Sequence, residues 1–243
     1  MKVIGVIPAR MASTRFPGKP LVDIGGKPMI QRVYERCLES DALDAIYVAT
    51  DHQEIKAVVE DFGGQVMLTG SDHLNGTSRC YELVSKLEEK PDIVINIQGD
   101  EPFFESSCLT TLVDCFRRDA TDIASLAKKI EHAAEVENPS VVKLVFNEEN
   151  QALYFSRAAI PFCQRAEQGE YFKHIGIYAY RWSVLKQLPD LPVSPLEEAE
   201  KLEQLRWLAN GFKIQLGFTQ HDSNSVDTPA DLVALKKQFN IHD

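Results

Sequence analysis

The sequence lacks an apolar run that could cross a bilayer, since a spanning helix needs about 20 consecutive apolar residues. The apolar run at the start is too short for a secretory signal and ends at Arg10. We therefore expect a cytoplasmic protein. Its 243 residues are enough for one large α/β domain with a smaller lobe.

The usual cysteine and glycine motifs of small-ligand sites are also missing. The five cysteines form no C-x-x-C pair, and no Cys/His spacing is typical of zinc. Neither the Walker A pattern nor G-x-G-x-x-G occurs in the chain. Buried or incidental thiols are expected, and any phosphate must be bound by another kind of loop.

Positive charge is scarce, because the net charge is −10. A field of that sign repels nucleic acids and anionic membranes, so neither is expected as a partner. The first 22 residues are the exception: they contain Lys2, Arg10, Arg15 and Lys19, and the first acidic residue is Asp23. This cluster predicts an anionic ligand.

Short apolar runs alternate with helical patterns in the first half of the chain. Residues 3–7, 45–50 and 93–98 are predicted strands, and helices are predicted after Pro28 and over 55–62. The alternation predicts an α/β fold with a Rossmann-like, mostly parallel sheet flanked by helices.

The pattern changes in the second half, where strands follow one another with fewer helices between them. Strands are predicted at 123–130, 141–146, 152–156 and 173–180. They indicate a smaller mixed or antiparallel lobe inserted at about residues 130–190.

One further helix carries strong boundary signals. Ser194 is its predicted N-cap, Pro195 its first residue, Glu197 the partner in a capping box, and Gly211 its end. A last strand is predicted at 213–218.

The strongest functional signal is the loop P-A-R-M-A-S-T-R-F-P-G-K-P, residues 8–20, after the first strand. Open α/β folds bind ligands at this carboxyl edge of the sheet. Small residues let backbone N–H groups approach an anion, and the basic side chains supply charge. The alternative is a surface loop that happens to be basic. We expect phosphate binding by Pro8, Ala9, Arg10, Ser13, Arg15 and Lys19.

Two aspartates are candidate metal ligands. Asp100 follows a buried strand in Q-G-D-E-P, and a carboxylate facing a phosphate loop is well placed to hold Mg²⁺. Asp227 precedes Thr228, the predicted N-cap of the last helix, and Pro229, its first residue. The alternatives are that Asp100 caps a turn and that Asp227 is a turn residue.

A period of two places His174, Gly176, Tyr178 and Tyr180 on one face of a predicted strand. That face either lines a substrate pocket or lies on a wet sheet surface. The pattern alone does not distinguish Glu203 from the other acidic residues around it.

Taken in order, the motifs resemble the 3-deoxy-D-manno-octulosonate cytidylyltransferases, the CMP-Kdo synthetase family. The matching runs extend almost end to end: IPARMASTRFPGKPL, VATD, NIQGDEP, ALYFSRAAIP, HIGIYAY, SPLEEAEKLEQLRWL and VDTPADL. The resemblance implies a nucleotide-diphospho-sugar transferase fold with a single nucleotidyltransferase domain over 1–243. It also implies a homodimer formed through the smaller lobe. The implied reaction converts CTP and Kdo to CMP-Kdo and pyrophosphate for lipopolysaccharide synthesis.

The resemblance also implies roles for individual residues. Lys19, Arg10, Arg15 and Asp100 would be the catalytic set, with Ser13 joining the basic residues at the triphosphate. Arg79 would lie near the nucleotide, and Asp100 and Asp227 would hold Mg²⁺. The acid sugar would be contacted by Gln98, Arg157, His174, Tyr178, Glu203 and Gln204.

The chain departs from the family pattern at three places. Gly70 replaces an arginine, Ser78 replaces an acidic residue, and Phe162 replaces a tryptophan. A branch of the family activates 8-amino-3,8-dideoxy-octulosonate, which is the first alternative. Further alternatives are a CMP-sialic acid synthetase, a hexose-1-phosphate nucleotidyltransferase, and a non-catalytic nucleotide-sensing module.

Overall fold

The computed structural model describes residues 1–12, 15–117, 120–164 and 169–241. The chain forms two compact units: unit 1 is Met1–Thr110 with Ser223–Asp243, and unit 2 is Thr111–Asp222. Residues 130–190, predicted as a smaller lobe, fall inside unit 2.

Parallel strands form the centre of unit 1, in the order β3-β2-β1-β4. They are β1 (Val3–Ala9), β2 (Ala45–Thr50), β3 (Val66–Leu68) and β4 (Ile93–Asn96). Residues 3–7 and all of β4 are buried, as expected for strands covered on both faces. Their carboxyl ends lead into the predicted functional loops.

Helices connect these strands: α1 (Met29–Leu38), α2 (Gln53–Asp61) and α3 (Gly76–Lys86). A further helix, α4 (Ser107–Asp114), follows β4 in the chain. In α1 the buried residues include Met29, Val33 and Cys37, which recur every four positions along one face. Helix α3 begins after Asn75, whose side chain accepts the N–H of Ser78 at 2.9 Å.

Unit 2 contains the mixed strand pattern that the sequence indicates. Its strands are β5 (Ile123–Lys129), β6 (Lys143–Phe146), β7 (Ala152–Ser156), β8 (Phe172–Arg181) and β9 (Ile214–Phe218). Strand β5 pairs antiparallel with β8 and parallel with β9, while β6 pairs antiparallel with β7 and β8. Two short helices, α5 (Ala133–Glu137) and α6 (Trp182–Leu185), lie between strands in the chain.

The helix predicted after Ser194 is broken in two, as α7 (Pro195–Glu200) and α8 (Gln204–Ala209). The break is at Lys201, which has the left-handed φ of 54°. A residue in that conformation cannot continue a right-handed helix.

Ser194 does cap α7, but the predicted capping box is wrong. Ser194 accepts the N–H of Glu197 at 3.2 Å. The Glu197 carboxylate instead accepts two hydrogen bonds from Arg206, both at 2.6 Å. A bidentate, charge-assisted pair is stronger than a single bond to a backbone N–H, so the carboxylate turns to the arginine.

The end of the chain returns to unit 1 as α9 (Pro229–Gln238). Thr228 and Asp231 form its capping box, and Pro229 is its first residue, as predicted. Leu235 of α9 packs in one cluster with Ile24 and Met29. Within the described residues, the structure contains no helix with the length and apolarity to cross a membrane.

Candidate active site

The loop after β1 folds back on itself in unit 1. Gly18 adopts a φ of 71°, which favours glycine, and its N–H donates to the Met11 carbonyl at 3.2 Å. Lys19 follows directly and begins a short 3-10 turn, Lys19–Leu21. The turn fixes the backbone from which the Lys19 side chain extends.

The Lys19 ammonium group lies between the two candidate metal ligands. Its Nζ donates to Asp100 Oδ2 at 2.7 Å and to Asp227 Oδ1 at 3.3 Å. Arg15 Nη2 donates to the same Asp227 oxygen at 3.0 Å. The Lys19 side chain is only 14% exposed, so this ion pair is shielded from water far more than a surface salt bridge. The structure thus brings together four residues that the sequence singled out.

Backbone contacts hold the two aspartates in place. The Val226 N–H donates to the Asp100 carbonyl at 2.9 Å, which ties the two segments together. Asp231 Oδ2 accepts the N–H groups of Asp227 at 3.1 Å and Thr228 at 2.8 Å. The capping box of α9 therefore also fixes the residue that carries the second carboxylate.

Gly99 allows the loop after β4 to approach β1. A Cβ atom at this position would lie 2.9 Å from the Pro8 carbonyl oxygen, which is closer than real contacts allow. Only glycine permits this spacing without a backbone shift. The conformation of Asp100 depends on this close approach.

The donor set at Asp100 and Asp227 fits a divalent cation. Two carboxylates converge on a positive charge that the Lys19 ammonium supplies in this structure. Within the described ranges no group of three or more His, Cys, Asp or Glu side chains could hold a metal. Mg²⁺ usually takes one or two carboxylates and completes its shell with water and substrate phosphates, so a pair is sufficient.

The other predicted nucleotide-binding residues differ in their surroundings. Arg10 is exposed and makes no ion pair with a described residue, while Pro8 and Ala9 form the end of β1. Ser13 lies outside the described residues.

Arg79 is only 3% exposed, and its guanidinium group donates to Asp51 Oδ2 at 3.0 Å and to Thr69 Oγ1 at 2.7 Å. These contacts join α3 to the ends of β2 and β3. The role of Arg79 near a nucleotide stays a prediction.

In unit 2, His174 is held in one tautomer by Ser125. The Ser125 hydroxyl donates to the Ile177 carbonyl at 2.9 Å, so its oxygen accepts from His174 Nε2 at 2.8 Å. Nδ1 is then left as an acceptor. The ring packs against Phe155 and Tyr178, with centroids 5.0 and 5.3 Å away. Burial lowers the pKa of His174 to about 3, so the imidazole is neutral near pH 7.

On the polar face of β8, Tyr178 and Tyr180 are buried, while His174 and Gly176 are half-buried. The Tyr178 ring lies edge-on to Trp207 of α8, with centroids 4.9 Å apart, and burial raises the pKa of its hydroxyl. Gln204, one turn before Trp207, is 4% exposed. Neither the Tyr178 hydroxyl nor the Gln204 amide makes a hydrogen bond to another residue in the described part of the chain. The indole Nε1 of Trp207 is a buried donor without a partner among the described residues. Buried polar groups normally find a partner, so this part of α8 and β8 is a candidate for ligand contact.

The remaining predicted sugar contacts are also placed. Glu203 is the residue that precedes α8, next to Gln204. Arg157 follows β7 and is half-buried. Gln98 belongs to unit 1, just after β4.

The sequence did not single out two glutamates, Glu101 and Glu200, that lie next to candidate site residues. Burial raises the pKa of Glu101 to about 7, the nearby Asp100 adds to the shift, and Ser223 Oγ donates to its carboxylate. Glu101 directly follows Asp100, so its position in Q-G-D-E-P was a usable signal. Glu200 accepts the N–H of Arg157 at 2.9 Å. It stands among several acidic residues, so the sequence offers no signal for it.

The structure shows the surroundings of the three residues that depart from the family pattern. The Gly70 N–H donates to Glu82 Oε2 at 2.9 Å, and Ser78 Oγ lies 3.0 Å from His73 Nδ1. Phe162 is 90% exposed. Glycine and serine therefore take part in one hydrogen-bonded group at the start of α3.

Comparison with known proteins agrees with these observations. A family profile described as cytidylyltransferase matches residues 4–214. A 3-deoxy-manno-octulosonate cytidylyltransferase of Parabacteroides distasonis is 50% identical over 242 residues, covering 96% of each chain. An 8-amino-3,8-dideoxy-manno-octulosonate cytidylyltransferase of Shewanella amazonensis is 46% identical over 244 residues, covering 99% of this chain and 100% of that protein.

A solved structure gives the same result. A CMP:2-keto-3-deoxy-manno-octonic acid synthetase complexed with CTP has a TM-score of 0.95 and 45% identity, and the match covers 99% of both chains. The predicted α/β fold, with a central sheet flanked by helices, is thereby confirmed. The chain belongs to the cytidylyltransferases, in the 3-deoxy-manno-octulosonate cytidylyltransferase family, and is a nucleotidyltransferase.

Proposed function

We propose that the protein transfers CMP from CTP to 3-deoxy-D-manno-octulosonate, releasing pyrophosphate and forming CMP-Kdo. The observation that carries this proposal is the Lys19 ammonium group held between Asp100 and Asp227, in the loop system that the sequence assigns to phosphate. A nucleotidyltransferase needs cationic groups for a triphosphate and carboxylates for the metal that accompanies it.

In the proposed reaction, the anomeric hydroxyl oxygen forms a bond to the α-phosphorus, and the bond from that phosphorus to the bridging oxygen breaks. Pyrophosphate leaves with the bonding electrons, and the hydroxyl proton passes to solvent. Negative charge spreads over the phosphate oxygens in the transition state. Arg10, Arg15 and Lys19 would stabilise that charge, with the Ser13 hydroxyl and the Ala9 N–H positioning the triphosphate and Pro8 fixing the backbone before them.

Asp100 and Asp227 would hold Mg²⁺. When bound, the ion would offset negative charge on the phosphates and favour ionisation of the attacking hydroxyl. Glu101, directly beside Asp100 and bonded to Ser223, would keep this segment in place. Arg79, through its buried ion pair with Asp51, would hold α3 against the end of β2.

The open polar groups of unit 2 suit a sugar acid. Arg157 would pair with the carboxylate, and neutral His174 would accept a hydrogen bond from a sugar hydroxyl through Nδ1. Tyr178, Gln204 and Glu203 would supply further donors and acceptors. A site that pairs a carboxylate and several hydroxyls rejects analogues that lack them, because its buried polar groups would remain unsatisfied.

We also propose a homodimer formed through unit 2 and a cytoplasmic location, where CTP is available. The rings of Phe146, Phe172 and Phe218 form an aromatic cluster with centroids 5.0 to 5.8 Å apart. Phe218 is 40% exposed and Leu153, on β7, is 59% exposed. Exposed apolar groups of this kind are typical of a protein interface.

The test measures pyrophosphate release by the purified protein with Mg²⁺, each of CTP, UTP, GTP and ATP, and each of several sugars. Kdo and 8-amino-3,8-dideoxy-octulosonate are compared directly, with a sialic acid and a hexose 1-phosphate as further acceptors. We expect release with CTP and Kdo above all other pairs. A higher kcat/KM for the 8-amino sugar would assign the protein to that branch, and no release with any pair would contradict the proposal.

A further inference from the structure

Arg157 is held at four points by its neighbours in unit 2. Its N–H donates to Glu200 Oε2 at 2.9 Å and its carbonyl accepts from Lys143 Nζ at 2.6 Å. In the side chain, Nε donates to the Glu200 carbonyl at 2.9 Å and Nη1 donates to the Pro139 carbonyl at 3.0 Å. The backbone and the guanidinium plane are both fixed.

These contacts leave one edge of the guanidinium group available. Nη2 of Arg157 makes no hydrogen bond to a residue in the described part of the chain. Nε and one N–H of Nη1 already donate to carbonyl groups. The second N–H of Nη1 and an N–H of Nη2 therefore remain available to a ligand. Two parallel N–H groups of this kind match a carboxylate.

Glu200 accepts hydrogen bonds from Arg157 at both its carboxylate and its backbone carbonyl, because α7 ends at this residue. In a continuous helix its carbonyl would accept the N–H of residue 204. The left-handed φ of 54° at Lys201 breaks the helix, and the Glu200 carbonyl accepts from Arg157 instead. A lysine takes this conformation only where surrounding contacts determine it, which is common near functional sites.

The Glu200 carboxylate faces the end of β7. Oε1 accepts from the Ser156 hydroxyl at 2.6 Å, while Oε2 accepts from the Arg157 backbone. Ser156 is 3% exposed, and its oxygen also accepts the Ala158 N–H at 3.0 Å. Both carboxylate oxygens are therefore occupied within the protein, so Glu200 acts through its neighbours.

Lys143 completes the support from the opposite side. It is fully buried, and its ammonium donates to the carbonyls of Asn138 at 2.9 Å, Val141 at 2.6 Å and Arg157 at 2.6 Å. Burial lowers the pKa of the Lys143 ammonium group. The carbonyls take all three of its protons.

We propose that Glu200 is a positioning residue that orients Arg157 toward the carboxylate of the acid sugar. The proposal rests on the proposed function, in which Arg157 pairs with that carboxylate. Glu200 would then affect the binding of the sugar and leave the binding of CTP unchanged.

The test compares steady-state kinetics of Glu200→Ala, Glu200→Gln and the control Glu198→Ala, an exposed glutamate of the same helix. We expect Glu200→Ala to raise the KM for Kdo about tenfold, the scale of losing a group that orients a ligand-binding residue. The KM for CTP should stay within about twofold. Glu200→Gln should be largely normal, because an amide can accept from Arg157 and donate to Ser156.

A second comparison uses the Arg157→Lys background. If Glu200 acts through the guanidinium group, adding Glu200→Ala to Arg157→Lys should raise the KM for Kdo by less than about twofold more, since coupled residues are not additive. Thermal unfolding of each variant reports on folding.

The inference is overturned if Glu200→Ala leaves the KM for Kdo unchanged, or if it raises the KM values for Kdo and CTP equally. Should Glu200→Ala fail to fold, Ser156→Ala takes its place. In that case we expect Ser156→Ala, which removes the donor to Glu200 Oε1, to raise the KM for Kdo and to leave the KM for CTP within about twofold. An unchanged KM for Kdo in Ser156→Ala would then contradict the inference. Absence of activity in the unaltered protein with CTP and Kdo would instead contradict the proposed function.

Discussion

Lys19 is the residue on which the candidate site depends most. Its ammonium group compensates two carboxylates that would otherwise repel each other at short range. The same group carries the charge that a phosphate needs. With a neutral side chain at this position, the negative charges of Asp100 and Asp227 would not be compensated when no ligand is bound. Binding of the triphosphate would also be weaker.

We expect Lys19→Ala to lower turnover by roughly 10²–10³, the loss that follows removal of one preorganised donor. The measurement is kcat for pyrophosphate release at saturating substrates. Lys56→Ala is the control, because Lys56 pairs with Glu60 of the same helix, α2, at 3.5 Å. Turnover of the Lys19 variant within about threefold of the parent would remove Lys19 from the reaction.

His174 should make stability depend on pH. Its pKa of about 3 lies below the ordinary value of 6.5. Between these two pH values the unfolded chain therefore binds a proton at His174 that the folded protein does not bind. The free energy of unfolding is therefore highest above pH 6.5 and falls as the pH falls from 6.5 toward 3.

Urea unfolding at about pH 7 and about pH 5 would measure this loss, which we expect to be about 1–2 kcal/mol. In His174→Gln the loss should be smaller by that amount, because glutamine does not titrate. An equal pH dependence in both proteins would show that His174 is as easily protonated in the folded protein as in the unfolded chain.

The individual residues differ in how far the sequence could reveal them. Lys19, Asp100 and Asp227 stand in distinctive motifs after strands, and the structure brings them together. Glu200 could not be found, because its importance comes from a helix break that local propensity does not encode. The buried pairing of Arg79 with Asp51 likewise depends on tertiary contacts.

At the scale of elements, the strand pattern was predicted well because apolar runs and turn residues determine it locally. Strands β2 and β7 have the predicted bounds, the short strand β3 was not predicted, and the others differ by one or two residues at their ends. The single helix predicted after Ser194 is wrong, because Glu197 pairs with Arg206 and Lys201 takes a left-handed conformation. Neither feature follows from local helix propensity.

The junction of β1 and the loop after β4 can be tested with Gly99→Ala. The new methyl group would meet the Pro8 carbonyl at 2.9 Å, so one of the two segments must shift. We expect a loss of about 1–3 kcal/mol in the free energy of unfolding, typical of overpacking, together with lower activity.

Gly70→Ala is the matched control, because its Cβ would lie 3.4 Å from the nearest atom, a Glu82 carboxylate oxygen. Denaturant unfolding and pyrophosphate release are measured for both variants. If Gly99→Ala proved as stable and active as Gly70→Ala, the close approach would have no consequence for the site.

For the whole molecule, the proposed reaction requires a divalent metal. We expect EDTA to abolish pyrophosphate release and added Mg²⁺ to restore it. Asp100→Asn should lose the Mg²⁺-dependent activity, because an amide lacks the charge that holds the ion. Equilibrium binding of Mn²⁺ to both proteins in the presence of CTP gives a second readout. Full activity of Asp100→Asn would contradict its assignment as a ligand.

The assembly state can be tested at the aromatic cluster of unit 2. We expect Phe218→Glu to shift the protein from dimer to monomer in sedimentation analysis, since a charge would be buried in an apolar contact. Leu38→Glu is the control, an exposed position of unit 1 with 64% exposure. A dimer that persists in Phe218→Glu, or a parent protein that is already monomeric, would contradict the proposed interface.

The contact between Lys19 and Asp227 joins residues 208 positions apart. During synthesis, the ribosome must add 208 residues after Lys19 before this pair can form. Until then, the Lys19 ammonium group can contact only Asp100 of the two aspartates. We therefore expect a nascent chain that stops short of Asp227 to lack the complete cation and carboxylate arrangement, even though β1 to β4 have already been made.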